Sequence, residues 1–247
     1  MTSLPAIRVK NLIKKFGDFT AVNNVSFDIP TGQIVGLLGG NGAGKTTTLS
    51  MLVGILLPSS GDISMLGIDM LKNRYDALKD MNFSSPYVDL PFRLSVRENL
   101  LVFSRLYNIK NFKERIEILA KELDLFSFID KPYGTLSAGQ RTRVLIAKSL
   151  INQPKVLLLD EPTASLDPDT ADWMRSYLIK FQQETNATIL LASHNMLEVE
   201  RMCNDVIVMK QGRIADRGTA GNLITKYGRG TLEEVFLHIA RTENHDA

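Results

Sequence analysis

The sequence has almost no cysteine, since Cys203 is the single one among 247 residues. A lone cysteine excludes a disulfide bond within the chain, which fits a reducing compartment. Long apolar runs are also missing, and none approaches the ~20 residues that span a bilayer. The first residues, MTSLPAIRVKN, lack the apolar core of a signal peptide. We therefore expect no direct membrane insertion, so any role at a membrane must come through a partner.

An excess of one charge is missing as well. Lys and Arg number 29 and Asp and Glu number 27, so the net charge of +2 gives no reason to expect a nucleic-acid partner. Hydrophobic residues make up 44% and charged residues 23% of the chain, an ordinary globular composition. We find no internal repeat and no low-complexity segment. The length allows a large core in one or two domains.

The most informative stretch is a glycine-rich loop with the pattern G-x-x-x-x-G-K-[ST], preceded by a strand-like apolar run at 34–38 and followed by a helix-like segment at 47–57. Its glycines let backbone N–H groups surround phosphate oxygens, and the helix adds its positive end. Lys45 would reach the β- and γ-phosphates, and the Thr46 hydroxyl would hold Mg²⁺. A turn that binds nothing would not need this lysine, this hydroxyl and both flanks together. The loop consists of Gly39, Gly40, Asn41, Gly42, Ala43, Gly44, Lys45, Thr46 and Thr47.

Short apolar runs separated by turns occupy residues 6–38. They predict antiparallel β structure, and the β subdomain together with the glycine-rich loop would span residues 5–70. Phe16 and Phe19 lie in this region. A flat aromatic ring there either stacks on adenine or fills the core, and position alone leaves both roles open.

Helical periodicity marks the middle of the chain and predicts a helical subdomain over residues 90–150, inserted in the core. Ser95 and Glu98 form a capping box at the start of one of its helices. Ser137 is well placed as the N-cap of another helix over residues 140–152. The segment LSAGQ around Ser137 is a weak signal by itself, and helix capping is its default interpretation.

Two apolar runs end in polar residues. The run at 155–159 leads to Asp160 and Glu161, and the run at 188–193 leads to His194. Because ligands of parallel sheets bind at the carboxyl ends of strands, Asp160 is predicted to act at Mg²⁺ and Glu161 to polarise a water. His194 is a candidate catalytic residue for the same reason. The alternatives are that both acids cap the next turn and that the histidine is an ordinary core or surface residue.

The C-terminal part of the chain predicts a β-hairpin at 206–210 and 213–217 and a helical tail over 220–247. His238 and His245 in this tail have no predicted partner. Together the patterns predict an α/β fold. It would have a P-loop NTPase core with a mainly parallel sheet, an N-terminal antiparallel β subdomain and a helical subdomain.

Four segments in order resemble the nucleotide-binding subunit of ABC transporters: GGNGAGKTT, LSAGQ, VLLLDEPTASLDP and ASHN. The resemblance covers about residues 5–240 and implies a single ABC ATPase domain over 1–247, with ATP and Mg²⁺ as cofactors. The segment TLEEVFL at 231–237 is more weakly similar to the ending of ATPase subunits from bacterial drug- and polysaccharide-type exporters.

The resemblance implies that ATP is held head to tail between two ATPase subunits. The glycine-rich loop of one subunit would bind the phosphates, and a helix start on the other would close on the γ-phosphate. That helix start consists of Ser137, Ala138, Gly139 and Gln140.

Further roles follow from the same resemblance. Glu161 is similar to the general base or water-positioning residue, and His194 to the residue that senses the γ-phosphate. Phe16, rather than Phe19, matches the aromatic that stacks on adenine. Residues 165–167 resemble the loop that crosses the dimer interface.

One position departs from the family pattern. The family has a glutamine before the helical subdomain that binds Mg²⁺ and couples to the membrane subunit, but here no glutamine occurs between Gln33 and Gln140. An ungapped comparison places Pro86 there, and proline offers neither a side-chain ligand nor an N–H. Ser85, Ser84 or a water would have to fill the position.

The main prediction is therefore the ATPase subunit of a membrane exporter, cytoplasmic and peripheral on the inner face of the cell membrane. Its partners would be a second ATPase subunit, in a homo- or heterodimer, and transmembrane permease subunits. The permease contacts would lie near Tyr87, Phe92, Phe103 and Tyr107. One alternative is a soluble ABC ATPase that acts on ribosomes or DNA, although the chain lacks the usual second ATPase domain or long coiled-coil insertion. The other is an ATP-binding switch with weak hydrolysis, which the missing glutamine motivates.

Overall fold

The computed structural model describes residues 4–164 and 166–241. Its strands and helices follow in chain order. The strands are β1 (Ile7–Phe16), β2 (Phe19–Ile29), β3 (Ile34–Leu38), β4 (Ser60–Met65), β5 (Ile68–Asp69), β6 (Met81–Ser84), β7 (Val156–Asp160), β8 (Thr188–Ser193), β9 (Asp205–Lys210) and β10 (Arg213–Gly218). The helices are α1 (Lys45–Leu52), α2 (Met70–Leu78), α3 (Val96–Leu106), α4 (Phe112–Glu122), α5 (Ala138–Leu150), α6 (Pro168–Thr185), α7 (Met196–Met202), α8 (Ala220–Tyr227) and α9 (Leu232–Arg241).

Two sheets form the framework. The larger has the order β10-β9-β3-β8-β7-β6, and all of its pairings are parallel except that of β10 with β9. Every residue of β3, β7 and β8 is buried, as expected for parallel strands covered on both faces. The smaller sheet, β2-β1-β4-β5, is antiparallel. This architecture confirms the predicted α/β fold with its mainly parallel sheet and N-terminal antiparallel sheet.

The first two strands are longer than the short runs that the sequence predicts. β1 and β2 pair antiparallel from Ile7 opposite Ile29 to Phe16 opposite Phe19, with Gly17 in the turn at φ +57°. Both strands bury one face and expose the other, so their polar residues are part of the strands and do not interrupt them.

Helices α3, α4 and α5 lie together in the stretch that the sequence predicts as helical. The capping box of Ser95 and Glu98 is present at the start of α3, as predicted. The apolar faces of the three helices pack in one core cluster with Leu157 and Leu159 of β7 and with α6. The helices thereby attach to the face of the large sheet, while the division of the chain into subdomains stays a prediction.

The C-terminal part contains the predicted hairpin, β9 and β10, and two helices, α8 and α9. Leu232, Val235 and Ile239 of α9 are buried against α7, α8 and β9. His238 has a partner that the sequence did not reveal, because its Nδ1 lies 3.0 Å from Arg229 Nη2 and its ring contacts Tyr227 edge-on. His245 lies outside the described residues. None of the helices in the described ranges combines the length and apolar character needed to cross a bilayer.

Candidate functional site

The glycine-rich loop joins the buried strand β3 to α1, and only glycine fits at two of its positions. Gly44 is the N-cap of α1 with φ 99°, and a Cβ there would lie 2.7 Å from the carbonyl oxygen of Ala21. A Cβ on Gly39 would lie 2.7 Å from the Cβ of Ala43. No side chain caps α1, so the N–H groups of its first turn are left to bind an anion. The helix begins at Lys45, two residues before the predicted start at Thr47.

Lys45 is buried inside the loop that precedes it. Its Nζ donates to the carbonyl oxygens of Gly39, at 2.6 Å, and Gly40, at 3.4 Å. Burial lowers the pKa of Lys45, and the neighbouring Glu161 and Asp160 act in the opposite direction. The ammonium group is thereby held inside the loop, and phosphate oxygens are acceptors that can replace the carbonyls.

Asp160 ends β7 beside the start of α1 and is 1% exposed. Thr46 Oγ1 donates to Asp160 Oδ2 at 3.3 Å, and Ser85 Oγ lies 3.5 Å from the same oxygen. Burial, and then the charge of Glu161, raise the pKa of Asp160. A buried carboxylate flanked by two hydroxyls fits Mg²⁺, which prefers oxygen ligands and one or two carboxylates.

The metal shell would be completed by groups other than acids. In the described ranges no cluster of three or more His, Cys, Asp or Glu residues could hold a metal ion. Mg²⁺ usually keeps several waters and binds substrate phosphates in addition to its protein ligands. Thr46, Ser85 and Asp160 are therefore a sufficient protein contribution, provided that a nucleotide supplies phosphate oxygens.

Ser85 is buried and its hydroxyl is fixed from the other side, because the Tyr87 N–H donates to Ser85 Oγ at 3.3 Å. Pro86 instead lines a large groove. Of the two serines that could replace the missing glutamine, Ser85 is the one whose hydroxyl lies within reach of Asp160.

Glu161 and His194 are in contact just beyond the ends of the neighbouring strands β7 and β8. His194 Nδ1 lies 2.7 Å from Glu161 Oε1, and the His194 backbone N–H donates to Glu161 Oε2 at 3.4 Å. Glu161 has φ 49°, the left-handed region that few non-glycine residues adopt, and its N–H donates to the Ala192 carbonyl at 2.8 Å. The imidazole is exposed while the carboxylate is largely buried, so His194 is the member of the pair that faces solvent.

A groove of about 870 Å³ runs past this pair. It joins the pair to the tip of the glycine-rich loop and to α9, which sequence reasoning had not connected with the site. The lining residues are Gly40, Asn41, Pro86, Tyr87, Glu161, Ala164, His194, Asn195, Met196, Leu197, Glu233, Phe236 and Leu237. The acidic and apolar side chains of α9 therefore face the same space as the candidate catalytic residues.

A smaller cavity of about 210 Å³ lies against the loop on the side of the antiparallel sheet. Phe19 and Ala21 line it together with residues 40–47. Phe16, the ring selected by resemblance, lies opposite Phe19 at the end of β1, with Lys14 Nζ 5.0 Å from its ring centre. Phe16 is 50% and Phe19 64% exposed, so both rings are free to contact a planar ligand.

At the helix start over residues 137–140, Ser137 and Ala138 are exposed, Gly139 and Gln140 are half-buried, and all four lie outside the lining of these two cavities. Ser137 is the N-cap of α5, in a capping box with Gln140, and the helix begins at Ala138, two residues before the predicted Gln140. A Cβ on Gly139 would contact Leu166 at an ordinary 3.7 Å. Asp167 caps α6, whereas Ser165 lies outside the described residues.

Several residues near the site carry little sequence signal. Glu198, Thr163 and Ser193 form a buried hydrogen-bonded group next to Glu161 and His194. Glu198 is one acid among several in a polar helical segment, and nothing in its spacing marks it as buried. Phe236 belongs to the TLEEVFL segment, which the sequence singles out without indicating that it lines the groove.

Comparisons with known proteins agree on one family. Residues 22–164 match the family model described as ABC transporter. The chain is 37% identical over 235 residues to the Nod factor export ATP-binding protein I of a Rhizobium species, covering 94% of this chain and 76% of the relative. It is 36% identical over 220 residues to the ABC transporter ATP-binding protein NatA of Bacillus subtilis, covering 88% and 89%. A solved dimeric ATP-binding cassette, in a post-hydrolysis state bound to ADP and Pi, superposes with a TM-score of 0.79 at 26% identity, covering 86% of this chain and 98% of that one.

Proposed function

Because the chain belongs to the ABC transporter family of ATPases, we propose that it powers export through membrane subunits carried on other chains. ATP binding would close two ATPase subunits head to tail, and hydrolysis would release them. The observation that carries this proposal is the convergence of Lys45, Asp160 and the Glu161–His194 pair at one edge of the large sheet. A relative named for Nod factor export favours export as the direction.

A second ATPase subunit is needed because one chain offers only half of the phosphate site. The loop and the first turn of α1 supply donors on one side. The start of α5 is exposed and lies apart from the loop's cavities, so its N–H groups are available to another copy. The dimeric cassette with bound ADP and Pi supports such a pairing. Closure by a second helix start would add donors to the γ-phosphate and exclude water.

For the chemical step, we assign Glu161 to the attacking water. Its carboxylate lies next to the imidazole of His194, so the two side chains can hold a water and the γ-phosphate in line. His194 would contact the γ-phosphate, with its orientation set by the bond from Nδ1 to Glu161. Lys45 and the loop N–H groups would stabilise charge on the phosphates.

When bound, Mg²⁺ would neutralise charge on the β- and γ-phosphates. Thr46, Ser85 and Asp160 would hold it, directly or through water. Ser85 would supply the oxygen that the glutamine supplies elsewhere in the family, and its shorter side chain would leave room for a water in the shell.

Contact with the membrane subunits would occur on the apolar surface next to Ser85. Tyr87 is 79% exposed, and Val88 and Phe92 are also exposed. Phe103 and Tyr107, the other predicted contacts, instead pack against the core of the helical region. We therefore restrict the proposed permease contact to Tyr87, Val88 and Phe92, which would make the chain peripheral to the membrane.

A link between this surface and the dimer interface runs through Lys148. Its buried Nζ donates to the Phe83 carbonyl at 3.0 Å and to Asn82 Oδ1 at 3.2 Å, and burial lowers its pKa to about 8. Lys148 belongs to α5, whose N-cap is Ser137, while Asn82 and Phe83 belong to β6, which leads to Ser85. Movement of α5 on ATP closure would therefore pull on the segment that precedes Tyr87.

The proposal is tested by isolating the protein from its cells and identifying what accompanies it. Mg²⁺-dependent ATP hydrolysis together with co-purification of a multi-helix membrane protein is the expected result. Co-purification with ribosomes instead would favour the soluble alternative, and ATP binding without turnover above buffer would favour the switch.

Replacing Ser85 with alanine is expected to weaken Mg²⁺ binding about tenfold, the lower end of what loss of a supporting ligand costs. The affinity for ATP in the absence of Mg²⁺ should stay unchanged, because Ser85 lies at Asp160 and not in the phosphate loop. Titration with Mn²⁺, followed by electron paramagnetic resonance in the presence of ATP, measures this directly. Ser84→Ala is the matched control, and Pro86→Gln should leave the metal affinity unchanged. Equal metal affinity in Ser85→Ala and the wild type would remove Ser85 from the shell.

Replacing Phe16 with alanine is expected to lower the affinity for ATP about tenfold, since stacking of a base on an aromatic ring contributes ~1–3 kcal/mol. Inorganic triphosphate, which has no base to stack, should bind the variant and the wild type with equal affinity. Phe19→Ala, made in parallel and measured by calorimetry, should bind ATP almost as the wild type does. The opposite pattern would transfer the adenine contact to Phe19, which lines the cavity at the loop.

A further inference from the structure

A buried carboxylate lies behind the Glu161–His194 pair. Glu198 of α7 is 1% exposed, and each of its oxygens accepts a hydrogen bond from a hydroxyl. Thr163 Oγ1 donates to Oε1 at 2.8 Å, and Ser193 Oγ donates to Oε2 at 2.6 Å. Burial raises the pKa of Glu198, while the two hydroxyls act to lower it. A buried acid is costly unless its oxygens are satisfied, and here both are satisfied, one by the loop after β7 and one by the end of β8.

The two hydroxyls belong to the two segments that carry the pair. Thr163 follows Glu161 by two residues, and Ser193 directly precedes His194. Ser193 Oγ also accepts from the Asn195 N–H at 3.0 Å, so this hydroxyl holds the backbone on both sides of the histidine. A single carboxylate therefore holds the segment that carries Glu161 and the segment that carries His194 in a fixed relative position.

The backbone at Glu161 is in a conformation that its neighbours must stabilise. Its φ of 49° lies in the left-handed region, where a residue with a side chain stays only when its surroundings enforce it. The Glu161 N–H is held by Ala192, one residue before Ser193, and the segment after it is held by the bond from Thr163 to Glu198. Without Glu198, the second of these restraints is lost.

We propose that Glu198 is a positioning residue for ATP hydrolysis. Through Thr163 and Ser193 it keeps the side chains of Glu161 and His194 in their relative position. Its carboxylate is hydrogen-bonded to the two hydroxyls and not to either member of the pair, so it acts on the pair through them. The inference rests on the proposed function, since it assumes that the pair acts on the attacking water and the γ-phosphate.

The first test is Glu198→Gln, which keeps the size of the side chain and replaces one acceptor by a donor. We expect kcat to decrease tenfold or more, by analogy with the effect of small misplacements in active sites, while KM for ATP changes less than about twofold. Thr163→Val, which removes one hydroxyl at similar shape, should act in the same direction. Glu200→Gln is the matched control, because Glu200 lies on the same helix but accepts from the Leu232 N–H and should leave kcat unchanged.

Two further measurements separate positioning from a general loss of structure. In a Glu161→Gln background, Glu198→Gln should cause no additional loss of the residual rate, because both changes act on one group. In nuclear magnetic resonance spectra without ATP, the ring signals of His194 should shift in Glu198→Gln while those of His238 stay in place. The second measurement does not need turnover, so an inactive wild type would overturn the proposed function and leave this inference testable. An unchanged kcat, an additive loss in the double variant, or unmoved His194 signals would each overturn it.

Discussion

Lys45→Ala is expected to lose most of its affinity for ATP, by about a hundredfold, and with it all measurable hydrolysis. Hydrogen bonds to charged groups contribute ~1.5–3 kcal/mol each, and Lys45 is the buried cation inside the phosphate loop. Its Nζ donates to the carbonyl oxygens of Gly39 and Gly40, which lie in the same loop. Calorimetric titration with ATP and Mg²⁺ measures the loss.

The control for Lys45→Ala is Lys72→Ala, which removes an exposed lysine paired with Asp69 on the surface. Thermal unfolding should show that both variants remain folded. If Lys45→Ala binds ATP within a few-fold of the wild type, then the loop is not the phosphate site, and the assignment of every residue from 39 to 47 would have to be withdrawn.

Glu161→Gln is expected to lower kcat by at least a hundredfold while ATP binds as before, because general bases typically contribute 10²–10⁴-fold. Glutamine keeps the shape of the side chain and can still contact His194, but it cannot accept a proton from water. Single-turnover measurement of phosphate release isolates the chemical step. Glu184→Gln serves as the control, because Glu184 is an exposed carboxylate on α6. Undiminished phosphate release by Glu161→Gln would exclude Glu161 as the base.

The ends of the buried strands could be predicted from sequence because their composition admits few alternatives. Four consecutive apolar residues before Asp160, and four before Ser193 and His194, are typical of strands that are covered on both faces in a parallel sheet. Since parallel strands end at one edge, the sequence also indicates that these side chains lie near each other. The contact between Glu161 and His194 agrees with that expectation, although their chemical roles remain proposals.

Contacts between polar residues far apart in sequence could not be predicted. The approach of Ser85 to Asp160 depends on β6 pairing with β7, and β6 is a four-residue strand without a clear periodic signal. Burial of Glu198 depends on how α7 packs, and the acidic side chain by itself predicts an exposed position. Helices α1 and α5 each begin two residues earlier than predicted. The loop conformation at Gly44 determines where α1 begins, and the capping box at Ser137 determines where α5 begins.

In the proposed mechanism, a second copy completes the phosphate site. Sedimentation of the Glu161→Gln protein with and without ATP tests it, together with a Glu161→Gln protein that also carries Gly139→Asp. The structure has room for a side chain at Gly139, so this change should leave the monomer folded and still able to bind ATP. We predict monomers without ATP, dimers of Glu161→Gln with ATP, and monomers of the double variant with ATP bound. ATP-saturated Glu161→Gln that stays monomeric, or a double variant that dimerises equally well, would contradict the proposal that the α5 start of a second copy completes the phosphate site.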